Sequence, residues 1–335
     1  MKTIILDAMG SDSRPNSEIL GALSALKEIK DITILLVGNE KKIRLKLEGF
    51  PFDRKRLQII HAEQDVQMSE SPVKAMKEKK ESSMAVGLAL LKSGKGDAFI
   101  SAGNTGAVMA HSLMLIGRIP GIQRPTIATT IPTLYGETLL VDSGANADCK
   151  AAQLAQFAVM GDIYAKLVLD RKAPKIGLLS NGEEPEKGNE LTKKAHTLIK
   201  KASFLNFVGN VEGRDILTGE VDIVVCDGFT GNIVLKTVES LFKFLYRVFK
   251  QEISRSILAK IGILFLIPTL KKLMKKMDYA EYGTAPLLGI RKPIMVCHGS
   301  SNQKAIKNAI TFTYKYLQKD FNKALSREID KLKEV

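Results

Sequence analysis

Four short polar segments hold the residue types best suited to binding an anion or an acyl carbonyl group. They are Ser101–Ala107, Val141–Asn146, Asp227–Asn232 and Cys297–Asn302, and each follows a short apolar run. Small residues let the backbone approach a ligand, and the first free N–H groups of a helix attract negative charge. One such segment is ordinary turn chemistry, but ligands of open α/β sheets bind beyond the carboxyl ends of strands. Four of them therefore predict a pocket for phosphate or an acyl carbonyl group.

A fifth segment, Ser180–Asn189, holds three acids and one lysine between glycines. Lys187 is followed by Gly188, and a lysine on such a flexible loop can act as a point charge on a phosphate group. The alternative is a surface lysine that neutralises the neighbouring acids. The spacing alone leaves both interpretations open.

The elements that must position these segments alternate along the chain. Apolar strand patterns such as Thr3–Leu6, Asp97–Ser101 and Ile176–Ser180 run into polar loops and then into helical patterns. Such alternation is typical of βαβ units. We predict an α/β fold of three layers around a mostly parallel sheet, with Thr126–Ile131 and Thr138–Asp142 as paired strands.

The length and composition agree with a fold of this kind. The chain has 335 residues, of which 45% are hydrophobic and 26% are charged. These proportions exclude a disordered chain, a collagen-like chain and a disulfide scaffold. We predict a single α/β domain over residues 1–335, with two interlocked halves as an open alternative. A basic amphipathic helical hairpin is predicted as an insertion at 240–282.

The positive charge is concentrated in this predicted hairpin. The formal net charge is +14, and within Leu241–Met277 nine basic residues face one acid. Phe242, Leu245 and Phe249 recur there at helical spacing, and an apolar tip follows at 261–267. A basic amphipathic helix with an apolar tip is typical of binding to an anionic membrane surface. A dimer-interface hairpin with solvated lysines is the alternative. Nucleic acid is not expected as a partner, because no recognition motif accompanies the charge.

Several classes of protein lack their signatures in this sequence. No dinucleotide-binding or P-loop glycine pattern occurs and no acids have metal-ligand spacing, so we expect neither a cofactor nor a metal. Cys149, Cys226 and Cys297 are far apart and form no CxxC motif, which disfavours a zinc site and fits a reducing compartment. The N-terminal apolar run is too short for a signal peptide. The most apolar stretch, Ile257–Ile267, falls short of the about 20 residues of a membrane span.

Eight motifs are distinctive, and they occur in this order: Asp7–Gly10, Ser101–Ala107, Asp142–Asn146, Asn181–Asn189, Gly209–Asp215, Asp227–Lys236, Ala285–Gly289 and His298–Ser301. With them the sequence resembles, over nearly its whole length, the bacterial phosphate acyltransferases, which are acyl-carrier-protein:phosphate transacylases of phospholipid synthesis. The resemblance implies a Rossmann-like fold of the isocitrate/isopropylmalate dehydrogenase type, shared with phosphate acetyltransferases, and a homodimer. The family usually has glycine where Ser11 and Thr284 stand.

The resemblance also implies a reaction. Inorganic phosphate attacks the thioester carbonyl of a long-chain acyl group on acyl carrier protein, and acyl phosphate and the free carrier thiol leave. A membrane glycerol-3-phosphate acyltransferase then uses the acyl phosphate. The implied location is the cytoplasm, at the inner face of the cell membrane, and the basic surface could also dock the acidic carrier protein. Such a reaction requires that the anion be held and aligned and that the oxyanion be stabilised.

We predict three catalytic residues. Lys187 would act on phosphate or on the developing negative charge, and Asn232 would donate to phosphate or to the carbonyl oxygen. His298 would protonate the leaving thiolate or bind phosphate, with a structural histidine as the alternative. The residues predicted to bind substrate or orient its donors are Asp7, Gly103, Asn104, Thr105, Gly106, Asp142, Asn146, Asn181, Asp227, Gly228, Gly231 and Ser300.

Other functions remain open at this stage. An acyl-cysteine intermediate at Cys226 or Cys149 is conceivable, although both fit better as small core residues. A phosphate acetyltransferase-like enzyme that uses acyl-CoA shares the expected fold and chemistry. A decarboxylating dehydrogenase of the related fold would need metal-ligand aspartates. A membrane-associated, non-catalytic scaffold would use the hairpin alone and would leave the polar loops unexplained.

Overall fold

The computed structural model describes residues 1–255, 262, 263, 265–271 and 283–334. Its strands are β1 (Lys2–Asp7), β2 (Ile32–Gly38), β3 (Leu57–His61), β4 (Ala98–Ser101), β5 (Thr126–Thr133), β6 (Gly136–Val141), β7 (Ile176–Leu179), β8 (Phe207–Val211), β9 (Ile223–Val225), β10 (Ala285–Leu288) and β11 (Ile294–Val296). Its helices are α1 (Asn16–Glu28), α2 (Glu40–Leu47), α3 (Pro72–Glu78), α4 (Ser83–Lys92), α5 (Thr105–Leu115), α6 (Ala151–Leu167), α7 (Glu190–Lys201), α8 (Gly228–Arg255), α9 (Gln303–Tyr316) and α10 (Phe321–Glu328). Short 3-10 helices occur at Asp215–Leu217 and Ile329–Glu334.

The eleven strands join in one sheet, in the order β3-β2-β1-β4-β11-β10-β5-β6-β9-β7-β8. Three neighbouring pairs, β11 with β10, β10 with β5 and β5 with β6, are antiparallel, and the other pairs are parallel. The sheet thus has two parallel blocks that run in opposite directions, with β10 and β5 between them. The predicted mostly parallel sheet and the predicted pair β5–β6 are confirmed.

Helices cover both faces of the sheet. As a result, alternate strand residues are buried on opposite sides. In β1, Ile4 and Leu6 belong to the core that contains Ile19 of α1, whereas Ile5 belongs to the core that contains Leu88 of α4. Side chains of a strand point alternately to its two faces. The predicted three-layer arrangement is therefore present.

The helix that was predicted to begin the inserted hairpin is longer than expected. α8 begins directly after β9, at Gly228, and continues without interruption to Arg255. It belongs to the sheet-and-helix alternation, and position 240 lies within it; the predicted insertion at 240–282 stays a prediction. Residues 265–271 are helical as well. The remainder of the predicted hairpin, at 256–261, 264 and 272–282, lies outside the described residues.

The outer half of α8 presents large apolar side chains to solvent. Phe244 is 60% exposed and Phe249 is 65% exposed, and Phe265 in the following helical stretch is 83% exposed. Exposed apolar side chains that lie close together on a surface indicate a binding site for a partner, a membrane or a ligand. Within the described part of the chain, no helix is both long and apolar enough to cross a membrane.

Candidate active site

Parts of all four predicted segments meet at one cleft, which has a volume of about 1720 Å³. Gly103 and Thr105 reach it from the loop after β4, and Asn232 reaches it from the first turn of α8. Together with them, the lining at this polar end consists of Asp12, Thr129, Ser143, Gly144, His298, Gly299 and Ser300. The sheet and α8 enclose the rest of the cleft.

The remainder of the cleft is an apolar track along α8. One face of the helix lines it at helical spacing, and β5 and the helical stretch 265–271 contribute as well. The apolar residues concerned are Ile131, Pro132, Leu235, Val238, Phe242, Leu245, Tyr246, Phe249, Ile253, Ile267 and Leu270. The sequence showed the periodicity of α8 but not that its apolar face continues a polar site.

Lysines also border this track. Those on α8 recur at seven-residue intervals and therefore lie along one side of the helix. The lysines in the lining are Lys236, Lys243, Lys250, Lys271 and Lys304. The cleft thus combines an apolar wall with positive charge in its lining.

Asp142 organises the loop after β6. Its carboxylate is fully buried, and Oδ1 accepts hydrogen bonds from the backbone N–H groups of Ile127 at 3.2 Å, Gly144 at 3.1 Å and Ala145 at 2.9 Å. Oδ2 accepts from the backbone N and from Nδ2 of Asn146, both at 2.8 Å. Burial raises the pKa of Asp142, and these hydrogen bonds oppose the rise. Because all five donors belong to the protein, Asp142 shapes the loop and does not face the cleft.

Two glycines let the start of α8 lie against this loop. Gly228 N donates to Asn146 O at 2.7 Å. A Cβ added to Gly231 would lie 1.9 Å from the carbonyl oxygen of Asp142, so only glycine fits there. The close packing brings Asn232 beside Gly144, to within 3.6 Å of the place where a Cβ on that glycine would lie. Gly228 and Gly231 therefore position Asn232 and need not touch a substrate themselves.

Asp227 closes the first turn of α8. Its Oδ1 accepts from Thr230 N at 2.9 Å, and its Oδ2 accepts from Thr230 Oγ1 at 2.8 Å. An acidic side chain in this position satisfies the free N–H groups of a helix start. Asp227 thus caps the helix that carries Asn232, and its predicted role in orienting donors stays a prediction.

The loop after β4 is held by Asn104. Its Nδ2 donates to Met68 O at 2.9 Å and to Glu70 O at 3.1 Å, and its Oδ1 accepts from Ala107 N at 3.0 Å. The side chain of Asn104 is thus used in fixing the loop and in capping α5. Its neighbour Thr105 is the residue of this turn that lines the cleft.

Asp7, at the end of β1, stabilises the same loop through hydrogen bonds. Met9 N donates to its Oδ1 at 3.0 Å, and Ser101 Oγ donates to its Oδ2 at 2.7 Å. Ser101 Oγ in turn accepts from Gly103 N at 3.1 Å. Burial raises the pKa of Asp7, against the effect of its hydrogen bonds. Asp7 is therefore a positioning residue behind Gly103. Gly106, which was also predicted to bind substrate or orient its donors, is exposed and lies beside Pro72.

His298 is exposed and lines the polar end of the cleft. Its Nδ1 accepts a hydrogen bond from Ser300 N at 3.2 Å and lies 2.7 Å from Ser300 Oγ. Because Nδ1 is an acceptor, the proton of the neutral ring is on Nε2. This tautomer gives His298 a donor that a leaving group can use.

Lys187 and Asn181 are not brought to the cleft. Both are exposed on the loop after β7. Lys187 N donates to Glu184 O at 3.0 Å, which closes a turn of that loop. Neither side chain lines the cleft. The catalytic role predicted for Lys187 and the binding role predicted for Asn181 therefore stay predictions, without support from the geometry of the chain.

The cysteines are poorly suited to nucleophilic attack. Burial raises the pKa of Cys149 to about 12 and that of Cys297 to about 12, and it also raises the pKa of Cys226 well above its ordinary value. The nucleophile in cysteine chemistry is the thiolate, which such pKa values suppress at neutral pH. Within the described ranges, no group of three or more His, Cys, Asp or Glu side chains is arranged to hold a metal ion.

Thr129 is a contributor to the site that no sequence motif singles out, and it is paired with Ser143 from the predicted segment Val141–Asn146. Thr129 and Ser143 line the cleft, and their hydroxyl oxygens lie 2.7 Å apart. Ser143 Oγ also donates to Ile127 O at 3.2 Å. Thr129 lies within β5, and its presence depends on the antiparallel position of that strand between the two blocks.

Two solved structures share the fold at low sequence identity. A phosphotransacetylase from Streptococcus pyogenes matches with a TM-score of 0.60 at 17% identity, covering 95% of this chain and 94% of that one. A 4-hydroxythreonine-4-phosphate dehydrogenase structure from Salmonella typhimurium matches with a TM-score of 0.54 at 13% identity, covering 94% and 99%. The predicted fold, shared by phosphate acetyltransferases and dehydrogenases, is confirmed.

The sequence itself matches at much higher identity. A protein-family model described as "Fatty acid synthesis protein" matches residues 2–324. "Phosphate acyltransferase" of Thermoanaerobacter pseudethanolicus is 47% identical over 329 residues, which cover 98% of this chain and 98% of that protein. This chain therefore belongs to the phosphate acyltransferase family, and it is an acyltransferase.

Proposed function

We propose that this acyltransferase transfers a long-chain fatty acyl group from acyl carrier protein to inorganic phosphate, giving acyl phosphate for phospholipid synthesis. The observation that carries the proposal is the continuity of the cleft, in which hydrogen-bonding loops line one end and the apolar face of α8 lines the rest. Phosphate requires the first environment, and an aliphatic chain gains free energy from the second. An acetyl group alone would leave the apolar track without a use.

Phosphate binds at the polar end, near the starts of α5 and α9. Thr105 opens α5, and Ser300 precedes α9 by a short turn. Both residues line the cleft. Helix N-termini favour anions, and phosphate groups are already largely dianionic near neutral pH. The site therefore positions the nucleophile and has no need to deprotonate it.

A phosphate oxygen then forms a bond to the thioester carbonyl carbon, and the carbonyl oxygen becomes an oxyanion. The side-chain amide of Asn232 donates to that oxyanion. The C–S bond breaks as the carbonyl re-forms, and the carrier thiolate leaves. A thiol has a pKa of about 8.5, so the thiolate is a good leaving group. Nε2–H of His298 donates a hydrogen bond to the departing sulfur, and the thiolate takes up its proton from solvent. We assign no step to Lys187, which lies outside the cleft.

The acyl chain lies along α8. A saturated chain of 16 carbons is about 19 Å long when extended, since each C–C bond of about 1.5 Å advances it by about 1.3 Å. Helix α8 rises about 1.5 Å per residue. Measured from Asn232, the end of such a chain therefore lies beside Leu245, between Phe242 and Phe249, all of which line the track.

Acyl carrier protein docks at the opening, where the lysines of α8 and Lys271 border the track. Positive charge suits this acidic carrier protein and steers its approach. The exposed aromatic residues of α8 and of 265–271 support homodimer formation and peripheral contact with the anionic inner face of the cell membrane. Such a location in the cytoplasm would deliver acyl phosphate to a membrane glycerol-3-phosphate acyltransferase.

The experiment that tests the proposal uses purified protein, palmitoyl–acyl carrier protein and inorganic phosphate. Free carrier thiol and hydroxylamine-trapped acyl phosphate are measured together. We expect both to form in equal amounts and only when phosphate is present. Turnover of acetyl-CoA without turnover of the carrier-bound donor would instead support the acetyltransferase-like function. No turnover with either donor would refute both.

A further inference from the structure

Glu18 is a buried carboxyl group next to the polar end of the cleft. It lies in the first turn of α1 and has no exposed surface. Its Oε1 accepts a hydrogen bond from Ser11 N at 2.9 Å. Among the described residues, its other oxygen, Oε2, has no hydrogen-bond partner. An ionised carboxylate in such a place is costly, because half of its hydrogen-bonding capacity is unmet.

The loop that Glu18 holds touches both phosphate-binding loops. Asp12 N donates to Gly299 O at 2.8 Å, and both residues line the cleft. On the other side, a Cβ added to Gly10 would lie 2.7 Å from Gly103 N, so this loop also packs closely against the turn before α5. The hydrogen bond from Ser11 to Glu18 lies between these two contacts.

The surroundings of Glu18 disfavour its negative charge. The titratable groups that face it are Asp7, at the end of β1, and Cys297, after β11. Neither supplies a positive charge. Ser13 and Ser17, whose hydroxyl oxygens lie 2.6 Å apart, flank the same turn. Burial raises the pKa of Glu18 to about 7; the hydrogen bonds from Ser11 oppose this rise, and repulsion from Asp7 adds a minor contribution to it.

We propose that Glu18 is a positioning residue of the phosphate site, which in its neutral form holds the loop Gly10–Ser13 against the loops of Gly103 and Gly299. When Glu18 loses its proton, the charge is repelled by Asp7 and draws water toward Oε2, which loosens this loop. The inference rests on the proposed function for the identity of the anion. Phosphate binding then depends on whether Glu18, which lies behind the site, is protonated.

The test compares the wild type with Glu18→Gln, which keeps an acceptor for Ser11 N and cannot ionise. Binding of inorganic phosphate is titrated between pH 6 and pH 8 without an acyl donor, and KM for phosphate is measured in parallel. The ionisation of phosphate itself also changes over this pH range, but it affects the measurements on both proteins equally. Glu28→Gln, at the other end of α1 and half exposed, is the matched control.

If only the neutral form is competent, the wild type loses about tenfold in phosphate affinity relative to Glu18→Gln between pH 6 and pH 8. Glu28→Gln should follow the wild type. Equal pH profiles for the wild type and Glu18→Gln would overturn the inference, and normal acyl transfer in that case would leave the proposed function intact. A pH-dependent difference in phosphate binding without acyl transfer would reject the proposed function alone.

A second measurement needs no variant, in case Glu18→Gln folds poorly. Hydrogen exchange of wild-type peptides covering 8–13 and 298–301 is followed at pH 6 and pH 8 and corrected for the intrinsic rates. We expect protection in both segments to fall at the higher pH. Unchanged protection would contradict the proposal.

Discussion

Replacing Gly231 by alanine is expected to disable the enzyme by moving Asn232. The added Cβ would lie 1.9 Å from Asp142 O, whereas such contacts are essentially never shorter than 3.0 Å. The start of α8 or the loop of Asp142 must therefore move by about 1 Å. Asp142 has little freedom to yield, because its carboxylate is held by five hydrogen bonds.

The size of the effect follows from this displacement. A shift of about 1 Å in a catalytic group can lower the rate about 100-fold, which corresponds to about 2.7 kcal/mol in the activation barrier. The forced overpacking should also lower the free energy of unfolding by about 1–3 kcal/mol. We expect a fall in kcat for acyl phosphate formation and a lower melting temperature.

The assay is steady-state release of carrier thiol, with the melting temperature measured on the same samples. Gly213→Ala is the matched control, because a Cβ at Gly213 meets no atom within 4 Å. This control should keep the wild-type kcat. A Gly231→Ala variant with wild-type kcat and melting temperature would refute the argument that the close approach of α8 to the Asp142 loop sets the position of Asn232.

Three further predictions follow from the site. Asn232→Ala should lower kcat about 100- to 1000-fold as an oxyanion donor is lost; a wild-type kcat for this variant in the same assay would place the chemistry elsewhere. Because burial raises the pKa values of Cys149 and Cys226, mixing enzyme with palmitoyl–acyl carrier protein in the absence of phosphate should give no burst of thiol; a burst equal to the enzyme concentration would indicate an acyl-cysteine. Glu18 is protonated in the folded protein up to a pKa of about 7 but ionises near 4.5 when unfolded. The stability of the wild type should therefore fall relative to Glu18→Gln as pH rises from 4.5 to 7, by about 3 kcal/mol in total; a constant difference in urea denaturation would contradict this.

Local sequence patterns were enough to predict most of the strands and the loops that follow them. Apolar runs that end in Gly, Asn and Asp located β4, β6 and β11 and the loops that follow them, because backbone geometry and helix capping depend on neighbouring residues. The strand β10 (Ala285–Leu288) was not predicted, since four residues give too little alternation to distinguish a strand from a turn. It is antiparallel to both β11 and β5, so the pair β5–β6 gives the second block its opposite direction, which only the assembled fold reveals.

The site was predicted less completely, because residues that are far apart in the sequence come together in it. Asn232 and His298 meet at the cleft because the strand order of the sheet brings their loops together. The apolar track depends on α8 lying opposite β5, which no periodicity within α8 can indicate. Asp142, Asp227 and Asn104 have the residue types expected of ligand-binding groups, but their hydrogen bonds show that they fix loops. Residue type alone does not separate these two uses.

Photo-crosslinking tests most directly whether a long acyl chain lies along α8 with its thioester at Asn232. Acyl carrier protein is loaded with 16-carbon chains that bear a diazirine either near the thioester or at the far end, and labelled peptides are identified by mass spectrometry. We expect the near label to reach residues around Leu235 and Val238 and the far label to reach 242–249. Labelling by both probes away from α8 and β5 would contradict it.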